Sequence, residues 1–323
     1  MPQNYEHINR YEREIIAEMR SNGEGWNSIG ARLGRAGSSV WREYQRNRSG
    51  EGEYFPHAAD DMAEKRRHIA RKPHRISGEI EVSVNKKLEA YWSPEQICGR
   101  FDMEDKDMAS IMTIYNYLAT QEGSEYRKYL RGPGAKRMEN KKKFERIHDR
   151  AMITERPREA DERMEEGHWE GDTIRGPMKS AVCIMTMVDR KSLYLATGKM
   201  PSRKAKHLNE AVERASDGVP LKTLTVDNGM EFASHKKLSG KIGADIYFAH
   251  EGCPWERGLN ENTNGLLRQF FPKGRDLESV SETELANATE LINNRPRKSL
   301  GFKTPNEVMG EYISSRKQNV IYA

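Results

Sequence analysis

Thr223–Gly229, T-L-T-V-D-N-G, and Cys253–Phe271, C-P-W-E-R-G-L-N-E-N-T-N-G-L-L-R-Q-F-F, bracket the stretch on which the reading of this chain turns. Leu224 and Val226 alternate with Thr223, Thr225 and Asp227, the period of a short strand. Asp227 therefore sits at the strand's end, where Asn228-Gly229 turns the chain. The second word has helical spacing. Leu259, Thr263, Leu266 and Phe270 form one stripe, and Glu261, Asn264, Gly265 and Arg268 form another, so Glu261 points away from the apolar side. A carboxylate at a strand end and a carboxylate on a helix face can converge on one point. Asp172, in the run H-W-E-G-D-T-I, is the candidate third. Three carboxylates forced together repel one another, so their gathering makes sense mainly as a cage for hard divalent cations. Two rivals stand nearby. Alternation puts Glu170 on the same strand face as Asp172. Glu256 lies at the helix start, where the helix dipole favours a carboxylate for structural reasons alone.

Asp172, Asp227 and Glu261, with 33 residues between the last two, resemble the acidic triad of DDE transposases and retroviral-type integrases. A lone D…D…E among 49 acidic residues is weak. The surrounding words are more specific. W-E-G-D, T-V-D-N-G-M-E-F, P-W-E-R-G-x-N-E-N-T-N-G-L-x-R-Q-F-F-P-K and N-N-R-P-R-K-x-L-x-F-K-T-P, in that order, resemble transposases of the bacterial IS-thirty insertion-sequence family, over residues 8–310. The resemblance implies a ribonuclease-H-like α/β catalytic domain in which Asp172, Asp227 and Glu261 are both catalytic and metal-binding. Phosphodiester cleavage needs an activated nucleophile, shielding of the phosphate charge and a stabilised leaving oxygen, and two divalent ions about 3.5–4 Å apart supply all three. The implied cofactor is a pair of Mg²⁺ ions, for which Mn²⁺ can substitute, with Asp172 bridging, Asp227 completing one site and Glu261 the other. The implied partners are the element's terminal inverted repeats and target DNA, which a DNA 3′-hydroxyl attacks in the second step. Pairing two ends implies a homodimer or higher oligomer.

At 323 residues the chain has room for two or three domains. Charged residues make up 32% and aromatics 8%, the balance of a highly solvated chain. The longest apolar run, Ala181–Val188, is too short to cross a bilayer, and the first residues lack a signal-peptide core. Three widely spaced Cys suit a reducing compartment. These features, with the resemblance, point to a cytoplasmic protein associated with the nucleoid when bound to DNA, with no membrane partner. The net charge is only +5, but between Tyr126 and Arg150 ten basic residues face three acidic ones. That local excess, which includes Lys141, Lys142 and Lys143, suits a polyanion partner. There is no P-loop and no G-x-G-x-x-G, so no nucleotide cofactor is indicated.

The expected organisation is multidomain: all-α helix-turn-helix units first, then the α/β domain. Residues 1–50 read as an N-terminal helix-turn-helix domain, 51–80 as a basic linker, 81–122 as a second helix-turn-helix domain, 123–160 as a basic linker or arm, 161–310 as the catalytic domain and 311–323 as a tail. In the first unit Ile8, Tyr11, Ile15 and Met19 make one helical face, Gly34 closes a second helix, and Ser38-Ser39 cap a third. I-G-A-R-L-G-R and S-S-V-W-R-E-Y-Q-R-N are similar to the family's end-binding module, although Trp41 stands where the family has a small polar residue. Arg35, Ser38, Ser39, Arg42 and Arg46 are the candidate DNA contacts there. In the second unit Ser93-Pro94-Glu95-Gln96 starts one helix, and Ile111, Met112, Tyr115 and Leu118 share a side of the next. Asn264 and Arg268 share the face of Glu261 and are further candidate DNA contacts. From His168 onward the pattern is strand, strand, strand, helix, strand, helix, strand, helix. A non-catalytic DNA-binding regulator derived from a transposase is the alternative, and a nuclease acting on RNA–DNA hybrids is a third class.

Overall fold

The structure is a computed structural model that describes residues 7–49, 52–70, 76–132, 147–177 and 180–321, the side chains of 67–70 and 316–321 excepted. Two compact units divide the chain, Met1–His74 and Arg75–Ala323.

The first unit contains α1 (Arg10–Ser21), α2 (Trp26–Leu33), α3 (Gly37–Asn47) and α4 (Pro56–Ala70). Asn9 and Glu12 form a reciprocal capping box at the start of α1, and Gly34 ends α2 at φ +64°. The expected Ser38-Ser39 cap is corrected. Ala36 is the N-cap of α3 and, with only a methyl group, makes no side-chain cap bond; the amides of Ser39 and Val40 bond to its carbonyl, which places both serines inside the first turn. The expected inner face of α1 is corrected too. Ile16 and Arg13 are buried, while Tyr11 is 68% exposed. Arg13 turns inward because Glu43 and Asp60 meet its guanidinium at 2.7 and 2.5 Å. The core is Ile16, Ile29, Val40, Tyr54 and Ala59. Ala59 and Asp60 belong to α4, so the stretch expected as a linker carries a packed helix.

The second unit opens with α5 (Gly78–Glu89), α6 (Pro94–Met103) and α7 (Ile111–Ala119), around Val84, Leu88, Trp92, Ile97 and Ile114. The start of α6 is the Ser93/Gln96 capping box read from the sequence. On α7 the expected face holds only at Leu118: Ile114, Tyr117 and Leu118 are buried, whereas Ile111, Met112 and Tyr115 are exposed. I-M-T-I-Y-N-Y-L-A is apolar almost all round, so periodicity cannot select a side. The Tyr117 hydroxyl, donating to Asn85 at 3.1 Å, fixes it.

The rest of the unit is built on a six-stranded sheet. Its elements are β1 (Ala151–Met152), α8 (Arg158–Asp161), β2 (His168–Arg175), β3 (Cys183–Asp189), β4 (Leu195–Met200), α9 (Ala205–Ala215), β5 (Thr223–Val226), α10 (His235–Ile242), β6 (Asp245–Phe248), α11 (Gly258–Leu267), α12 (Glu282–Asn293) and α13 (Pro305–Ile321). The strand order is β1-β6-β5-β2-β3-β4. β2, β3 and β4 form an antiparallel meander, and β5, β6 and β1 extend it in parallel from β2. From β2 to α11 the order of strands and longer helices is the one read from the sequence; the two-residue β1 was not foreseen. β3 is buried along its whole length and alternates between two cores. Met185 and Met187 join Leu208, Val212 and Leu238 on one face; Ile184 and Val188 join Leu266, Phe271, Leu285 and Ile292 on the other. The second core seats α11 against β2 and β3. Burying a side chain such as Phe271 contributes about 2 kcal/mol.

Candidate active site

β2 and β5 are neighbours in parallel register, with Glu170 opposite Thr225. Two residues beyond that last pair stand Asp172, still on β2, and Asp227, just past the end of β5. Both carboxylates are half-buried. The Asn228-Gly229 turn fixes the second: Asp227 Oδ1 accepts the Gly229 N–H at 2.9 Å. A Cβ there would stand 2.6 Å from Glu231 Oε2 and 2.9 Å from Asp227 Oδ1, so any side chain at 229 would displace those carboxylates.

One guanidinium joins the pair. Arg257, just before α11, donates to the Gly171 carbonyl at 3.0 Å and lies 4.0 Å from Asp172 Oδ2 and 3.6 Å from Asp227 Oδ2. α11 is pinned over the strand by two further contacts. Glu170 Oε2 accepts the Asn260 N–H at 3.1 Å, and Asn264 Nδ2 donates to Asp172 Oδ2 at 2.9 Å. Thr186 of β3 donates to Asn264 Oδ1 at 3.0 Å and so holds the amide in that orientation. Glu261 lies one turn from Arg257 and one from Asn264, on the stripe that faces Asp172, and it is exposed. Helix neighbours at that spacing have Cβ atoms about 5–6 Å apart. The structure thus brings Asp172 and Asp227 together on one cation with Glu261 a helical turn away. Among the described residues, no three His, Cys, Asp or Glu side chains are gathered closely enough to hold a metal ion.

Burial pushes the Asp172 carboxyl up, Arg257 pulls it back, and Asp227 raises it again, leaving it at about 6. A carboxylate poised that high gains from any added positive charge. The side chains of Asp172, Asp227 and Glu261 offer only oxygens, the ligand chemistry a hard divalent ion takes.

The rival acids are committed elsewhere. Glu170 is buried in an ion pair with Arg190, which also donates to the Ala160 carbonyl at 2.7 Å. Glu256 accepts the His250 backbone N–H at 2.8 Å and is paired with its ring. Burial pushes Glu231 up, but Arg203 and Thr173 outweigh it and hold the carboxyl below its ordinary range. Of the expected DNA contacts, Arg268 donates to the Arg175 and Phe271 carbonyls at 2.8 and 3.3 Å. Arg35 is paired with Glu12 at 2.6 Å. Ser38, Arg42 and Arg46 are exposed on α3 with Trp41, and Ser39 is half-buried. Lys141, Lys142 and Lys143 lie outside the described residues. Arg257 and Thr186 were not singled out in the sequence. Arg257 lies just before α11 with non-helical backbone angles, so helical spacing did not point to it.

No protein-family model matches the chain. It is 36% identical over 324 residues to transposase InsI for insertion sequence element IS30A of Escherichia coli K12, covering 94% of this chain and 83% of that protein. It is 33% identical over 328 residues to the transposase for IS1086 of Cupriavidus metallidurans, covering 96% of each. Among solved structures it is similar to the catalytic core domain of BIV integrase, with a TM-score of 0.38 and 19% identity over 46% of this chain and 97% of that one. Both sequence relatives are transposases of insertion sequences, and the likeness runs nearly end to end. The chain belongs to the IS30 family of these transposases.

Proposed function

We propose that the chain binds the terminal inverted repeats of its insertion sequence, cleaves DNA there and joins the 3′-hydroxyl to target DNA. The α/β domain, 161–310, is assigned a ribonuclease-H-like catalytic role, with Asp172, Asp227 and Glu261 as its acids. The observation that carries this is the pairing of Asp172 and Asp227, from adjacent parallel strands, across the single guanidinium of Arg257. Two carboxylates already sharing one cation are arranged for positive charge. Divalent ions held by Asp172, Asp227 and Glu261 would shield the phosphate and make a water more acidic. Asn264 keeps one Asp172 oxygen oriented, Thr186 keeps Asn264 oriented, and Arg257 limits the repulsion between the aspartates.

End recognition is assigned to the helical segments. α2 and α3 supply a helix-turn-helix in which Ser38, Trp41, Arg42 and Arg46 are presented to DNA, and α6 and α7, within 81–122, supply a second. Acting on two ends calls for at least a dimer.

The test compares cleavage, strand transfer and binding on duplexes bearing the element's ends. Asp227→Asn is expected to lower both reactions by roughly a thousandfold or more while end binding persists. A variant that still nicks such DNA at the wild-type rate overturns the assignment. A wild-type chain that binds ends but never cuts them, with any divalent ion, is a regulator instead.

A further inference from the structure

Beside Glu261 and Asn264, Asn262 and Gly265 of α11 and Gln269 just past its end are met by arginines from distant parts of the chain. Arg131 Nη1 donates to Asn262 Oδ1 at 3.3 Å, and its Nη2 would lie 2.6 Å from a Cβ at position 265. Arg295 Nη1 donates to Gln269 Oε1 at 3.1 Å. Arg295 is 3% exposed, and its guanidinium lies over the rings of Tyr91 and Phe270 at 5.5 and 5.6 Å. Its Nε and Nη2 nevertheless have no acceptor among the described residues. Arg297 gives one Nη2 bond to the Ile292 carbonyl at 3.1 Å, and its Nε has none. No described carboxylate pairs with any of these arginines.

A buried cation without a counter-ion costs several kcal/mol, and aromatic faces offset only part of that. Burial and the like charges of Arg297 and Arg131 press Arg295 down to about 9; burial and Arg131 press Arg297 to about 10. Tyr91 holds φ at +64°, a sparsely populated region for a side-chain-bearing residue, while packing against Phe270 at 4.7 Å. Among the described residues the cluster has no anion.

We propose that Arg131, Arg295 and Arg297 form a phosphate-binding site whose ligand is a backbone phosphodiester of DNA lying along α11. The identity of the ligand as DNA rests on the function proposed above; the anion chemistry does not. Arg131 is exposed and rests where Gly265 has no side chain, so it is the movable wall of the site. Planar guanidiniums suit the bidentate recognition of phosphate oxygens.

Two measurements on the full-length chain test this. In melting experiments at constant ionic strength, inorganic phosphate in place of chloride is expected to raise the midpoint of the wild type. The rise is expected to vanish in Arg131→Gln/Arg297→Gln. Arg295→Met guards against misfolding: it should melt no lower than wild type in chloride, since it removes an uncompensated charge, and should lose the phosphate response. In duplex binding, the slope of log affinity against log salt should become shallower by roughly 0.9 for each arginine removed. Equal phosphate responses in wild type and variants overturn the site, and unchanged salt slopes overturn DNA as its ligand. Neither readout requires cleavage, so a failure of the catalytic reading is seen separately.

Discussion

Helix α11 separates two charged regions that are balanced in opposite ways. On the stripe facing β2, each carboxylate that the helix meets has a partner: Glu170 has Arg190 and the Asn260 amide, and Asp172 has Asn264 and Arg257. On the stripe of Asn262, Gly265 and Gln269, the arginines have amides, rings and carbonyls but no described carboxylate. The acids are compensated from within the fold. Among the described residues no acid compensates the cations, and the proposed ligand would do so. A protein that must seat a polyanion beside an acidic centre needs this separation, because guanidiniums spent on internal acids cannot neutralise phosphates.

The largest change expected from disturbing this balance lies on the compensated side. Glu170→Ala leaves the Arg190 cation buried without its acid and frees the first turn of α11. Breaking a buried pair in this way costs about 3–5 kcal/mol, which lowers the melting midpoint by roughly ten degrees in a domain of this size. Glu170→Gln, which can still accept the Asn260 N–H, should fall in between. A midpoint for Glu170→Ala within a degree of wild type would show that α11 does not depend on the buried pair.

A smaller effect of opposite sign is expected at Asp172. Its folded-state carboxyl sits at about 6, above the ordinary 3.8, chiefly because of burial. A raised carboxyl favours the folded state at low pH, and that contribution is lost as pH climbs from about 4 through 6. In a chelator, wild type should therefore weaken across this window relative to Asp172→Asn, which does not titrate. The variant should melt a few degrees higher than wild type at pH 8 and gain much less at pH 4. A difference that does not change with pH would remove burial of an ionised Asp172 as a source of instability.

The two sides of α11 were unequally legible in the sequence. Asp227 was readable because a period-two run ends on it before Asn-Gly, and Asp172 because W-E-G-D falls in a second such run. Glu261 and Asn264 follow from helical spacing, whereas Arg257, just before the helix, reaches the aspartates only through the fold. Alternation alone did not separate Asp172 from Glu170, since both point to one face of β2; the W-E-G-D resemblance favoured Asp172, and in the fold Arg190, brought by the β3–β4 turn, occupies Glu170. The arginine side was hidden more deeply. Arg295 and Arg297 were visible as part of a sequence word, but Tyr91, Arg131 and Gln269 come to them only through tertiary packing. Helix faces misread from periodicity have a similar cause. Arg13 is buried by ion pairs, and α7 has apolar residues on every side.

The smallest predicted effect is also the sharpest test of the difference between the two stripes. Gly265 lies inside α11, where alanine is ordinarily favoured by about 1 kcal/mol. A methyl group there would stand 2.6 Å from Arg131 Nη2, the far end of a flexible, exposed side chain, which can move aside. Gly265→Ala should therefore melt no lower than wild type, and a degree or two higher if Arg131 yields freely. DNA affinity should nevertheless fall modestly, with a salt slope shallower by less than the roughly 0.9 expected for losing a whole charge, since Arg131 is displaced rather than deleted. Combining it with Arg131→Gln should add nothing further to the slope. If the two changes are instead additive, Gly265 acts on DNA by some route other than the position of Arg131.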